Sequence, residues 1–308
     1  MPHVEQTIAF LDIMKLVPFP IRLSPYTRYT SADSDAFITA SANFTEKQRT
    51  IVSTDFLNFV FNLDDWTDEF DATEMEGLQE AVMNTMRYPE NFHSDTVTAR
   101  ITRSMLKTNG PNCKECSIDG MESFLRALAQ QATDRDLSVI PDLDAYIALR
   151  RETSGCKSAF TLIEYAANID LPNEVFEDPV FQDMMAAAND NISWSNDLFS
   201  YNREQSRKDP HNLVAIMMYT HEMGKQAAIE HVGDMCNKAV ERFLTIRAKL
   251  PSWGPEIDAQ VKTYIQGLQD WMRGRAEWSF MTERYFGKDA PVIRKGLQVQ
   301  LMPVVGTN

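Results

Sequence analysis

Four cysteines in 308 residues are too few for a disulfide framework. Cys113, Cys116, Cys156 and Cys236 are therefore expected as free thiols. Cys113-Lys114-Glu115-Cys116 has the spacing of a metal or redox pair, but no second cysteine pair and no βαβ pattern accompanies it, so a chance pair in a Gly/Pro-flanked loop is the better account. Long apolar runs are missing too: nothing approaches about 18 consecutive apolar residues. Met1 to Pro20 also lacks a basic region followed by an apolar core. A soluble, cytoplasmic chain without membrane insertion is expected. Positive charge is in the minority, with 30 basic against 44 acidic residues and a net charge of −14. Such a field repels nucleic acid and anionic membranes. A small phosphorylated ligand stays possible, because metal ions and a few arginines can supply positive charge locally. No linker interrupts the chain, so residues 1–308 are expected to close around one core.

What the chain does have is helical periodicity and two polar helix faces. Asn196, Ser200 and Glu204 lie at i, i+4 and i+8 and share one face. An amide carbonyl, a hydroxyl and a carboxylate are hard oxygen donors of the kind magnesium or manganese accepts. Their low total charge leaves an ion free to grip a phosphate. Arg203, beside the last of them, adds a fixed positive charge. Upstream, Asp64 and Asp68 have the same i, i+4 spacing within Asp64-Asp65-Trp66-Thr67-Asp68-Glu69, at the end of an apolar helical run over Thr45 to Leu63. Carboxylates at a helix C-terminus oppose the macrodipole and call for a cation. Val60 and Phe61, one turn before Asp64, are expected to face the same cavity. Each motif alone also describes an ordinary solvated helix face. It is the pair, in this order in a helical chain, that points to shared cations.

Further elements follow from periodicity and breakers. Pro18, Pro20 and Pro25 predict an extended N-terminal arm within residues 1–40; Arg22 and Arg28 could latch it, but a strap that merely covers apolar surface is the better account of both. Helices are expected over 71–107 and 119–135, separated by a polar loop at Thr108 to Ser117 where Gly110-Pro111 breaks the pattern. Others are expected over Asp142 to Glu152, ending before Gly155, over Lys157 to Ile169 and over Asp178 to Tyr201. Asn189 and Ser193 lie on the side of Asn196, with interhelix packing as their default role. His211 reads as a helix-start cap rather than a base. A last long helix from Glu256 to Arg284 places Trp271, Trp278 and Tyr285 seven residues apart on one face. Such aromatics are usually core, but a cavity wall of this kind stabilises a passing cation by about 0.5 to 2 kcal/mol per ring. The tail, 288–308, is expected as a poorly ordered lid or strap.

Taken together, the acidic Asp64-Asp65-Trp66-Thr67-Asp68-Glu69, the Asn196, Ser200, Glu204 triad, Arg150-Arg151 with Gly155, and Arg284-Tyr285 resemble the class I terpene synthases. The likeness is greatest to fungal, basidiomycete-type sesquiterpene synthases, and its landmarks span nearly the whole chain. The resemblance implies a single-domain all-α bundle with the two metal motifs facing each other across its mouth. It also implies three magnesium ions, with manganese as a substitute, and farnesyl diphosphate as substrate. In such a family an arginine before a helix break senses the diphosphate. Arg151 with Ser154 and Gly155 fits that pattern best. Arg150 would point about 100° away, so only one of the two should reach the phosphate. Arg284 and Tyr285 would donate to the diphosphate, and Trp271 and Trp278 would wall the hydrocarbon pocket. A chain-elongating prenyl transferase is the alternative within the fold, disfavoured because its second motif would be aspartate-rich. A non-catalytic metal-binding helical protein is the alternative outside it. Monomer and homodimer are both open.

Overall fold

The computed structural model describes residues 7–22, 70, 72–92 and 111–305. The expected Thr45 to Leu63 helix, with Val60, Phe61, Asp64 and Asp68, lies outside the described residues. Strand β1 (Thr7–Ala9) and helix α1 (Ile13–Leu16) lead to α2 (Ala72–Arg87), α3 (Pro111–Asp136), α4 (Leu143–Thr153), α5 (Cys156–Ala167) and α6 (Asn173–Glu177). Then come α7 (Pro179–Arg207), α8 (Leu213–Thr220), α9 (Lys225–Arg247), α10 (Pro255–Ser279), α11 (Glu283–Phe286), a 3₁₀ turn at Gly287–Asp289, α12 (Ala290–Gly296) and β2 (Gln298–Gln300). The all-α expectation holds, with one two-stranded ribbon added.

Helix α7 is the centre, packed along α9 and touching α4, α8 and α10. Its length follows from its ends. Asp178 caps the start by accepting from the backbone of Val180 and Phe181, Pro179 takes the first helical position, and Lys208 closes the other end in left-handed conformation. Buried Met184, Ala188 and Leu198 carry it into the main core with Phe243 of α9 and Leu268 of α10. A second cluster joins α2, α3 and α5 through Met75, Leu125 and Leu162. Trp271 packs against both clusters. It is a seam between them as well as a wall candidate.

Where α10 crosses α5, Gly267 lets the backbones approach. A Cβ there would collide with Cγ2 of buried Ile163 and lie 2.8 Å from its Cγ1. Ile163 is stiff at χ1 and cannot swing clear. Gly267→Ala is expected to cost about 1–3 kcal/mol, read as a lower urea midpoint, and Ile163→Ala in the same chain should recover part of it.

Five boundaries differ from expectation. Helix α2 stops at Arg87, with 88–92 in turn and loop, where a helix is expected over 71–107, because Pro89 disfavours helical backbone in the residue before it; residues 93–107 lie outside the described residues. Helix α3 starts at Pro111 itself, because proline fits a first turn where the N–H has no partner anyway. The Cys113 to Cys116 stretch is therefore helical, and Cys116, Cys156 and Cys236 are free thiols. Helix α7 continues past Tyr201 to Arg207. The last long helix stops at Ser279 and restarts at Glu283, where Thr282 accepts from the backbone N–H of Arg284. Tyr285 is thus not on the helix of Trp271 and Trp278, although its ring meets Trp278 edge-on at 6.1 Å. The tail is folded: Gln298–Gln300 pairs antiparallel with Thr7–Ala9, and the Val305 N–H donates to the Ser206 carbonyl. Arg273 ties this end together by donating to the carbonyls of Met14 and Val17 and to Glu277, which also takes Arg294. Arg22 of the arm does pair with Asp270 at 3.1 Å. Among the described residues no helix is long and apolar enough to cross a membrane.

Candidate active site

The triad face lies in the C-terminal half of α7. Ser200 donates to the Asn196 carbonyl at 2.9 Å, and Glu204 follows one turn later. On the adjacent face of the same turn, Asp197 is buried and accepts from the Tyr146 hydroxyl at 2.7 Å, from Arg150 Nε at 2.9 Å and from the Leu213 N–H at 3.1 Å. Tyr146 and Arg150 are i, i+4 on α4, so that face is what α4 presents to α7. Burial raises the Asp197 pKa, against the Arg150 charge and the hydrogen bonds it accepts. Burial raises the Tyr146 pKa as well, helped by the Asp197 charge. The phenol therefore stays protonated and works as a donor.

Arg150 also reaches the triad, with Nη2 2.9 Å from Asn196 Oδ1. Arg151 does not. Its guanidinium makes two 2.7 Å hydrogen bonds to Asp190, which is 0 % exposed and also accepts from Arg242. The Arg151 carbonyl accepts from Asn189 Nδ2 at 2.8 Å and from Ser154 Oγ at 3.0 Å, just before Gly155 breaks the chain at φ 68. Asn189 therefore fastens the break, and Ser193 donates to the Asn189 carbonyl in turn.

Glu204 accepts from Asn212 Nδ2 at 2.7 Å. Asn212 is the N-cap of α8, and its Oδ1 takes the Val214 N–H. The cap is thus Asn212 and not His211. The histidine ring packs on Tyr146 at 5.1 Å and lies 3.3 Å from Thr153 Oγ1. Burial, then the charges of Arg150 and Arg135, pull its pKa down to about 3, so it is neutral at ordinary pH. Glu204 moves the other way. Desolvation, then Asp197 and Asp209, push its carboxyl up to about 8, against hydrogen bonds from Asn212 and Ser200. A carboxylate so disfavoured, held by neutral donors beside an amide and a hydroxyl, suits a divalent cation with hard oxygen preference. Among the described residues no three His, Cys, Asp or Glu cluster to hold a metal, as expected where the triad contributes one carboxylate.

The C-terminal segment closes this corner. Asn196 Nδ2 donates to the Tyr285 hydroxyl at 3.1 Å, and Arg275 Nη2 donates to the same oxygen at 2.8 Å. Arg275 also donates to Ser279 Oγ, with its guanidinium 5.0 Å over the Tyr285 ring and 5.4 Å over that of Trp278. The sequence reading missed Arg275, Asn212 and Tyr146. Position i−3 from Trp278 was the available sign for Arg275, and i−4 from Arg150 for Tyr146. Arg203 and Arg284 are partly exposed, and Trp278 is 36 % exposed. The described residues thus bring together Asn196, Ser200, Glu204, Tyr285 and Trp278, and add Arg150 and Arg275.

Residues 55–242 match the family described as "Terpene synthase family 2, C-terminal metal binding". Sesquiterpene synthase 3 of Postia placenta is 54% identical, over 98% of this chain and 90% of that one. Sesquiterpene synthase Agr1 of Cyclocybe aegerita is 42% identical over 82% and 74%. Among solved structures, germacradien-4-ol synthase from Streptomyces citricolor superposes with a TM-score of 0.67 at 21% identity, over 87% of this chain and 89% of that one. An α-eudesmol synthase does so with 0.71 at 18%, over 86% and 98%. The chain belongs to the terpene synthase family. It is an enzyme of class I, a lyase that depends on divalent metal.

Proposed function

We propose that the protein ionises farnesyl diphosphate, releases pyrophosphate and cyclises the resulting carbocation to a sesquiterpene. The observation that carries this is the Asn196, Ser200 and Glu204 face with Arg150 and Tyr285 both touching Asn196. The names borne by its relatives support the C15 substrate. Asn196, Ser200 and Glu204 would hold magnesium, or manganese in its place. Asp64, with Asp68, is proposed to complete a three-ion site from the opposite side. Bound cations supply Lewis-acid neutralisation of the departing diphosphate. The chain's own groups do the rest. Arg150, rather than Arg151, is the cation placed against the triad, because Asp190 occupies Arg151. Tyr285, with Arg203 and Arg284 nearby in sequence to the two halves of the site, is proposed to face the diphosphate. The allylic C–O bond breaks with its electron pair leaving on the diphosphate oxygen. Trp271, Trp278, Val60 and Phe61 are proposed as the apolar wall that keeps water from the cation until a proton is lost.

Incubation with geranyl, farnesyl and geranylgeranyl diphosphates plus magnesium, followed by gas chromatography with mass detection, tests this. A C15 hydrocarbon or alcohol and pyrophosphate are expected from farnesyl diphosphate alone, and both should vanish on chelation. Pyrophosphate release that requires isopentenyl diphosphate would instead identify a chain-elongating transferase.

A further inference from the structure

We propose that Arg275 is a positioning residue: with Asn196 it saturates the Tyr285 oxygen, so that the phenol proton can be given only to an arriving diphosphate. The inference rests on the prenyl diphosphate reading above and assigns a new residue to it.

The orientation of Asn196 is fixed by chemistry. Arg150 has donors only, so the amide atom it touches must be Oδ1, and Nδ2 is left to point at Tyr285. Arg275 likewise has nothing but donors to offer. The Tyr285 oxygen therefore receives two N–H groups, at 3.1 and 2.8 Å, which use both of its lone-pair directions. Neither partner can take its proton. Among the described residues none accepts it, although Tyr285 is only 8 % exposed. A buried hydroxyl in that condition calls for an acceptor. A guanidinium on the oxygen also polarises the O–H bond and strengthens it as a donor.

Arg275 is held for this task from several sides. Ser279 Oγ, one turn later, accepts from the guanidinium, and the Trp278 and Tyr285 rings lie under it. Among the described residues no carboxylate pairs with it. Its neighbour Arg273 differs in this respect, being paired with Glu277. Among the described residues, the corner around Asn196 therefore carries Arg275 as a cation without a matching anion. A diphosphate oxygen supplies both the missing charge and the missing acceptor.

Calorimetric titration of the full chain with inorganic pyrophosphate and magnesium tests the assignment in Arg275→Gln, Arg275→Lys, Tyr285→Phe and Arg275→Gln/Tyr285→Phe. Loss of a hydrogen bond to a charged group is expected to weaken pyrophosphate about tenfold or more in Tyr285→Phe and in Arg275→Gln. The double variant should be no weaker than the worse single one, since Arg275 acts through the hydroxyl. Arg275→Lys, which keeps a charged donor, should recover part of the loss. Circular dichroism melts taken alongside separate binding from folding. Unchanged affinity in a folded Arg275→Gln overturns the proposal, as does a full additional loss in the double variant, which would make Arg275 act independently of Tyr285. Should the unsubstituted chain bind no pyrophosphate with magnesium, the prenyl diphosphate reading falls first and takes this inference with it.

Discussion

Glu204→Gln is expected to lower turnover of farnesyl diphosphate by about a hundredfold or more, since even outer-shell partners of a metal site cost 10–100-fold when lost. The substitution is chosen because glutamine keeps the shape and can still accept from Asn212, which otherwise reaches Glu204 Oε2 at 2.7 Å. Only the charge goes. That charge is already disfavoured in the folded chain, whose Glu204 carboxyl is pushed up to about 8 by desolvation and by Asp197 and Asp209. The folded pKa thus lies above the unfolded value. The contribution of this group to stability is full below the unfolded pKa and is lost as pH rises through about 8. Without metal, the variant should therefore gain on the parent chain in melting temperature between pH 6 and pH 9, while activity with magnesium collapses at both. Coupled pyrophosphate release and thermal melts give the two readouts. Near-normal turnover would remove Glu204 from the site.

The triad was legible because it is local: one helix, one face, steps of four. The choice between Arg150 and Arg151 was not. Spacing shows that the two diverge on α4, but which of them meets α7 depends on how the helices dock. That is decided by Tyr146 and Arg150 closing together on Asp197, while Asp190 draws Arg151 away. Asp190 lies far along the chain from Arg151, and nothing local marks the pair. The end of α10 was hidden for another reason. No glycine or proline lies between Ser279 and the restart at Glu283, and the mark of a new start there is Thr282 as a cap. Because the seven-residue aromatic repeat runs straight across that break, it drew attention to Trp278 and Tyr285 and away from Arg275 between them. The C-terminal strand was invisible in principle, since three residues at one end of the chain gain their partners only from three at the other. Folding it fixes the tail against α7 as well, through Asn202, which accepts from the Met302 N–H and donates to the Gln300 carbonyl.

Arg150→Met is expected to destabilise the chain by about 3–5 kcal/mol, the usual cost of removing one partner from a buried ion pair. Methionine fills similar space and cannot answer Asp197, which is 1 % exposed and keeps only the Tyr146 hydroxyl and the Leu213 N–H. Burial already raises the Asp197 pKa, and Arg150 is the largest opposing influence. Without it, the carboxyl should hold its proton to higher pH. A raised folded pKa is a loss of stability as pH climbs, so the deficit of Arg150→Met should narrow toward acid pH, whereas a defect of packing alone would be flat. Asp197→Asn leaves the opposite orphan, a buried guanidinium, and should also be costly. Joined in one chain, the two substitutions leave neither member of this pair buried without its partner, and their combined cost should fall well short of the sum. Urea titrations of the four chains at pH 5 and pH 8 give the coupling energy directly. Additive costs that do not change with pH would mean that Arg150 and Asp197 are held apart in solution, and Asn196 would then lose the contact that fixes its amide.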